Sequence, residues 1–284
     1  MNVLEFREAT VRFGGLTAVA PLSFALPQGQ MAAVIGPNGA GKTTVFNLTT
    51  GVYAPTGGEI LFEGQVVASS GKSLKPHRLA RMGMARTFQN IRLFGDLSTE
   101  ENVMCAFAAR TGEGYGLTSA LLRNSKRARV EASQRDEAQE LLKLFGLEAR
   151  RDHLARNLPY GDQRRLEIAR ALATRPKLLL LDEPTSGMNP SETGDLTEVI
   201  YEVKERFAPT VLLIEHHMSV VMGLCERVIV LDGGVKIADG APQQVQNDPH
   251  VIAAYLGEPD ALIDGAIENA QTEVVPDKRA MAHG

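Results

Sequence analysis

One nine-residue stretch, Gly36-Pro37-Asn38-Gly39-Ala40-Gly41-Lys42-Thr43-Thr44, restricts this chain more than any other. It fits G-x-x-x-x-G-K-[ST], a loop built to hold phosphates. Its flanks suit that use. The apolar run at 31–35 reads as a buried strand entering the loop, and residues 44–50 read as the first turns of a helix leaving it. Three glycines let the backbone curl until successive N–H groups point at one spot. The helix N-terminus adds partial positive charge there. Lys42 supplies a full charge for the β- and γ-phosphates, and the Thr43 hydroxyl is placed to ligate Mg²⁺. The strand-loop-helix order points to an α/β fold.

The rest of the chain is read outward from that unit. Residues 1–26 read as short strands. Val3-Leu4-Glu5-Phe6-Arg7 alternates, Thr10-Val11-Arg12-Phe13 follows, and 22–26 is a further apolar run. Turns at 27–30 and 55–58 flank the loop unit, and 59–65 looks like a hairpin strand with its turn. An antiparallel β-layer thus wraps a parallel core strand. Residues 75–83 look helical and 83–88 return to strand. From about 99 to 175 the pattern is helical, opening on Ser98-Thr99-Glu100-Glu101, with acids in the first turn. The charged stretch 124–146 keeps Ala138, Leu141, Leu142 and Phe145 on one stripe, which makes its charges a solvated face. Gly112, Gly114 and Gly116 mark a loop before it. The α/β pattern then resumes, with strands at 177–182, 210–215, 227–232 and 235–238. Helices are expected at 191–207, 218–225, 242–246 and 249–256. Residues 258–284 carry six acids and two bases without strong periodicity, and read as a mobile acidic tail with a helix near 261–270.

A phosphate loop alone leaves small-molecule kinases, GTPases, recombinases and transport ATPases open. Charge narrows the choice. With 30 basic and 34 acidic residues and a net charge of −4, the chain is no mainly electrostatic nucleic-acid binder. Cys105 and Cys225 sit far apart in apolar contexts and are expected to be buried free thiols of a cytosolic protein. There is no signal-peptide pattern, and no apolar run approaches the ~18 residues that span a bilayer. Work at a membrane therefore requires docking on something else. A second motif narrows it further. Leu178-Leu179-Leu180-Leu181-Asp182-Glu183 is a buried strand ending in two carboxylates. Such a strand delivers Asp182 to the sheet edge where α/β proteins bind ligands. There Asp182 can hold the water shell of Mg²⁺, and Glu183 can polarise an attacking water.

Upstream lies Leu158-Pro159-Tyr160-Gly161-Asp162-Gln163-Arg164-Arg165-Leu166-Glu167-Ile168-Ala169-Arg170-Ala171-Leu172. This stretch resembles the signature (LSGGQ-type) motif of ABC ATPases and its following helix. The order of motifs is also similar to that family: phosphate loop, glutamine loop (Thr87-Phe88-Gln89), helical insertion, signature, acidic strand, then a strand ending at His216. The resemblance covers residues 3–257. Within the family, Arg86-Thr87-Phe88-Gln89-Asn90-Ile91-Arg92-Leu93-Phe94, the signature stretch, Ile214-Glu215-His216 and Ala254-Tyr255-Leu256-Gly257 look like the ATP-binding subunits of bacterial branched-chain amino-acid importers. The resemblance implies an ABC ATPase domain at 1–257: a P-loop NTPase core with an antiparallel β-layer and an α-helical subdomain inserted at about 92–165. The tail 258–284 lies outside it.

The resemblance also implies roles. Phe13 stacks on adenine. Gly36, Pro37, Asn38, Gly39, Ala40, Gly41, Lys42, Thr43 and Thr44 hold the phosphates of ATP. Thr43, Gln89 and Asp182 attend Mg²⁺. Glu183 is the catalytic base, with His216 and Gln89 beside it, and Tyr160, Gly161 and Asp162 cap ATP bound to a partner cassette. The implied partners are a second ATPase subunit, identical or different, an integral-membrane permease and, indirectly, a periplasmic solute-binding protein, with no nucleic acid. The implied location is peripheral, on the cytoplasmic face of the bacterial inner membrane. ABC subunits for urea or for lipopolysaccharide export share most of these motifs, and a non-transport ABC ATPase is the more distant alternative. Several positions depart from the family pattern. Pro159 replaces a serine and so offers neither hydroxyl nor N–H. Tyr160 replaces the first signature glycine, Asp162 a glutamine and Asn189 an aspartate, and His217 stands where the subfamily usually has aspartate. These favour an asymmetric pair in which a different subunit supplies the better signature.

Overall fold

The computed structural model describes residues 1–111 and 125–255. In chain order they form β1 (Asn2–Phe13), β2 (Leu16–Pro27), β3 (Met31–Ile35), α1 (Lys42–Thr49), β4 (Gly57–Phe62), β5 (Gln65–Ser69), β6 (Lys72–Ser73), α2 (Pro76–Met82) and β7 (Met84–Arg86). Helices α3 (Thr99–Thr111), α4 (Ser125–Leu144) and α5 (Tyr160–Ala173) follow, with two single 3₁₀ turns between the last two. The chain continues with β8 (Leu178–Asp182), α6 (Pro190–Phe207), β9 (Thr210–Ile214), α7 (Met218–Leu224), β10 (Arg227–Asp232), β11 (Val235–Gly240), α8 (Pro242–Gln246) and α9 (Pro249–Tyr255).

Two sheets result. The antiparallel one has the order β2-β1-β4-β5-β6 and the other β11-β10-β3-β9-β8-β7. In the second sheet every pair from β10 to β7 is parallel, and β11 is an antiparallel edge. Every residue of β3, β8 and β9 is buried, as expected of central parallel strands covered on both faces. The period of two sorts their side chains between two cores. Met31, Ala33, Ile35, Leu179 and Leu181 face the core built with α3 to α7. Ala32, Val34, Leu178 and Leu180 face α1 and the antiparallel sheet. The stripe Ala138, Leu141, Leu142 and Phe145 lies in the first of these cores, and its charged neighbours are turned away.

Several boundaries differ from the sequence reading for local reasons. The two short N-terminal strands are one twelve-residue strand, because Glu8 at φ 49 absorbs an irregularity in register between Phe6 and Ala9. The strand expected at 83–88 shrinks to β7, because Gly83 takes φ 109 to close α2. Cys225 is buried as expected, whereas Cys105 is exposed; both are free thiols. Cys105 lies on α3 beside an open groove, a placement that an apolar sequence context alone does not reveal. The glycine loop at 112–116 and the helix expected near 261–270 lie outside the described residues. Among those described, no helix is long and apolar enough to cross a membrane.

Candidate functional site

The phosphate loop leaves β3 through Gly36, whose φ is 150; a Cβ there would sit 2.0 Å from the Leu231 carbonyl oxygen. Only glycine fits that position. The loop closes at Gly41, the N-cap of α1, with φ 100 and 2.8 Å between an added Cβ and the Ala18 carbonyl oxygen. Pro37 and Ala40 are buried while Asn38 and Gly39 are exposed, and Thr43 and Thr44 open the first turn of α1. Lys42 Nζ reaches back across the loop, donating to the carbonyls of Gly36 at 2.6 Å and Pro37 at 2.9 Å. The ammonium thus lies inside the curl, where an anion would meet it together with the α1 N-terminus.

Because β3, β9, β8 and β7 are adjacent and parallel, their C-terminal ends bring four segments to one edge of the sheet. These are the phosphate loop, Glu215-His216, Asp182-Glu183 and Thr87-Gln89. Gln89 Nε2 donates to Glu183 Oε2 at 3.2 Å. Glu183 takes φ 46, an uncommon conformation for a side chain of its size, and its N–H bonds the Ile214 carbonyl at 2.9 Å. Such a conformation costs on the order of 1–3 kcal/mol and persists where the surroundings impose it. Asp182 is buried and paired with Arg86 at 2.7 Å. Arg86 also donates to Asn47 Oδ1 and Thr50 Oγ1 of the α1 segment, at 2.8 and 3.2 Å. Its guanidinium lies over the rings of Phe46 and Phe88. One cation therefore joins the phosphate-loop helix, the acidic strand and the glutamine loop.

Glu215, fully buried at the end of β9, ties the neighbouring loops together. It accepts from Thr185 N–H at 3.1 Å, Thr185 Oγ1 at 2.5 Å, His216 N–H at 2.9 Å and His217 N–H at 3.2 Å. Burial pushes this carboxyl up, but the hydrogen bonds from His217 and Thr185 outweigh it and hold the group below its ordinary range. His217 also meets Thr185 Oγ1 at 3.0 Å. The His216 and His217 rings lie 4.1 Å apart, and the His216 side chain remains 47% exposed.

Helix α5 starts from Pro159 without a side-chain cap. Tyr160 is exposed and approaches Gly187, Gly161 is buried beside Glu192, and Asp162 is turned onto Arg150 in an ion pair. Arg164 is wholly buried and donates to the carbonyls of Phe88 at 2.6 Å and Gln89 at 2.8 Å. Glu167 pairs with Arg164 at 3.0 Å and accepts from the N–H groups of Phe88 and Arg92 at 3.4 and 3.1 Å. Burial raises the Glu167 carboxyl despite these partners. Phe13, at the tip of the β1–β2 hairpin, is 46% exposed and meets Tyr53 edge-on at 5.2 Å.

Residues 19–186 match the family model described as ABC transporter. The chain is 46% identical over 248 residues to the high-affinity branched-chain amino acid transport ATP-binding protein LivG of Escherichia coli, covering 87% of this chain and 95% of that one. The chain belongs to the ABC transporter ATP-binding family. This cassette is accordingly an ATPase, an enzyme that binds ATP and whose turnover is coupled to transport. It is also 42% identical to BraF of Pseudomonas aeruginosa, covering 90% of this chain and 98% of that one. Residues 235–261 match a second model, described as branched-chain amino acid ATP-binding cassette transporter. Among solved structures, the ADP conformation of MJ1267, an ATP-binding cassette of an ABC transporter, superposes with a TM-score of 0.76. It is 27% identical, and the alignment covers 91% of this cassette and all of that chain. The expected fold, a P-loop ABC ATPase core with its antiparallel layer and helices, is the one found.

Arg86, Arg164, Glu167 and Glu215 had no role in the sequence reading, although all four stand within the stretches it singled out. One signal existed. Gly161, Arg164, Ile168 and Leu172 follow helical spacing and all are buried, so Arg164 sits on the inward stripe of α5. Asn189 shows the converse. It departs from the family's aspartate, yet it caps α6: its side chain accepts from Glu192 N–H, and Glu192 accepts from its own N–H, both at 3.0 Å.

Proposed function

We propose that this cassette hydrolyses ATP to power import of branched-chain amino acids through a separate permease. The observation that carries the solute class is the 42–46% identity to importer subunits, extended by the match of residues 235–261. On this reading the amides of Gly39, Gly41, Thr43 and Thr44, with Lys42, bind the phosphates, and Phe13 stacks on adenine. Glu183 takes the proton of the attacking water while Gln89 orients that carboxylate, and His216 contacts the γ-phosphate. The residues present suit Mg²⁺: Asp182 is a buried carboxylate at the C-terminal end of β8, and Thr43 is exposed on the first turn of α1. An ion held by them would neutralise charge on the phosphates of ATP. Glu183→Gln keeps ATP binding and lowers turnover by about 10²–10⁴-fold. Nucleotide binding and phosphate release, measured on the same preparation, check this; undiminished release removes Glu183 from the role.

The open groove between α3, α5 and the β7–glutamine-loop segment fits the permease contact. It has a volume of about 770 Å³ and is lined by Phe88, Arg92, Leu93 and Phe94 among others. A second ATP-binding subunit completes each nucleotide site. The signature face of this chain supports a different subunit as that partner: Pro159 brings no N–H donor, and Asp162 is engaged by Arg150. A periplasmic solute-binding protein delivers the solute, and the cassette works on the cytoplasmic face of the bacterial inner membrane. Uptake of labelled leucine, isoleucine and valine by a deletion strain tests the solute. Uptake equal to that of the parent strain overturns it.

A further inference from the structure

The glutamine loop, residues 88–92, belongs to no helix or strand, yet its main chain is fixed by charged side chains of α5. Arg164 takes the carbonyls of Phe88 and Gln89, Glu167 takes the N–H groups of Phe88 and Arg92, and Arg170 donates to the Arg92 carbonyl. The side chains of Arg164 and Glu167 are 0% and 2% exposed. Burying an ion pair is no economical way to fill a core, since apolar residues of similar volume do it as well or better. It is suited to holding a loop whose carbonyls and N–H groups all need partners away from water.

The two ends of this contact are the two halves of the chemistry. Arg164 also donates to the Tyr160 hydroxyl at 3.3 Å, in the segment that faces the partner's nucleotide. At the other end, Gln89 holds Glu183 at 3.2 Å. We infer that Arg164 and Glu167 are positioning residues for hydrolysis: they strap the glutamine-loop main chain to the signature helix, so that Gln89 and Tyr160-Gly161 move as one body. The inference rests on the roles given to Gln89, Glu183 and the signature segment above. A displacement of α5 as the partner's ATP meets its N-terminus is then passed directly to Gln89, which leaves or reaches Glu183. The strap acts through Gln89, and its loss slows hydrolysis without weakening ATP binding.

The test uses the assembled transporter, with its second ATPase subunit and permease, carrying this chain as wild type, Glu167→Gln, Gln89→Ala and the double variant. Glu167→Gln is expected to lower kcat about tenfold or more with KM changed less than about twofold, and the double variant to be no slower than Gln89→Ala alone. In Glu167→Gln, the Phe88 and Arg92 amides should exchange with deuterium about tenfold faster, while those of the phosphate loop keep their rates. Should Glu167→Gln fail to fold, Arg164→Lys, which keeps the charge and loses the two-pronged donor, reads the same cycle. Losses that multiply in the double variant, or unchanged exchange at Phe88 and Arg92, overturn the strap. A wild type without turnover counts against the proposed function instead, and the exchange rates then judge the strap on their own.

Discussion

At the residue scale, the site is framed by buried charges that each bond to more than one element, Arg86 and Arg164 among them. Arg86 is the clearest case. Its loss would leave Asp182 buried without a counter-charge, so Arg86→Met should destabilise the nucleotide-free protein by about 3–5 kcal/mol. On the proposed reading, Mg²⁺ bound with ATP would bring positive charge to the same carboxylate. The Tm deficit of Arg86→Met should therefore narrow when both are added; a deficit that stays constant shows that the charge is not shared. Glu215 gives a pH signature. Its carboxyl is held below its ordinary range in the folded chain. The stability it contributes is complete above the unfolded value of about 4.3 and is lost as pH falls through the depressed folded value. The stability difference between wild type and Glu215→Gln should shrink over that acid window, measured by urea unfolding at stepped pH. A difference independent of pH removes the charged form from the account.

At the element scale, helices and strands begin and end where local chemistry dictates, and function is attached to those ends. Helix α1 starts at Gly41 because only glycine tolerates φ 100 so close to Ala18. Helix α6 starts at Pro190 because Asn189 and Glu192 form a reciprocal cap ahead of it. Asn189→Ala should cost about 1 kcal/mol, and Asn189→Asp only a few tenths, by thermal unfolding. Equal losses in the two variants would mean that the cap is not what holds the helix start. The strap from α5 to the glutamine loop belongs to this scale too, since it makes a loop follow a helix. The strands were legible from the chain because 31–35 and 178–181 are unbroken apolar runs, as expected of strands buried on both faces. The single β1 was not legible: a non-glycine bulge at Glu8 leaves no mark in the pattern of residues.

At the scale of the whole molecule, two cores share one parallel sheet, and the open groove lies where the helices meet its edge. Cys105 lines that groove, while Cys225 is buried and its thiol is pushed up to about 12. A maleimide should therefore label Cys105 in the isolated chain and spare Cys225. In the assembled transporter the Cys105 rate should drop, by mass spectrometry, if the groove takes the permease; an unchanged rate places that contact elsewhere. The sequence by itself determined the chemistry on offer. A phosphate loop, an acidic strand end, a glutamine, a histidine and their order along the chain are local facts, because each motif is set by residues adjacent in the chain. Tertiary structure decided which of them act together. Arg86 meets Asp182 across 96 residues of chain, and Arg164 meets Phe88 across 76, because parallel strands and a returning helix bring those segments side by side. Burial then turns such a meeting into an obligation, since a charge removed from water must find its partner wherever the fold has put it.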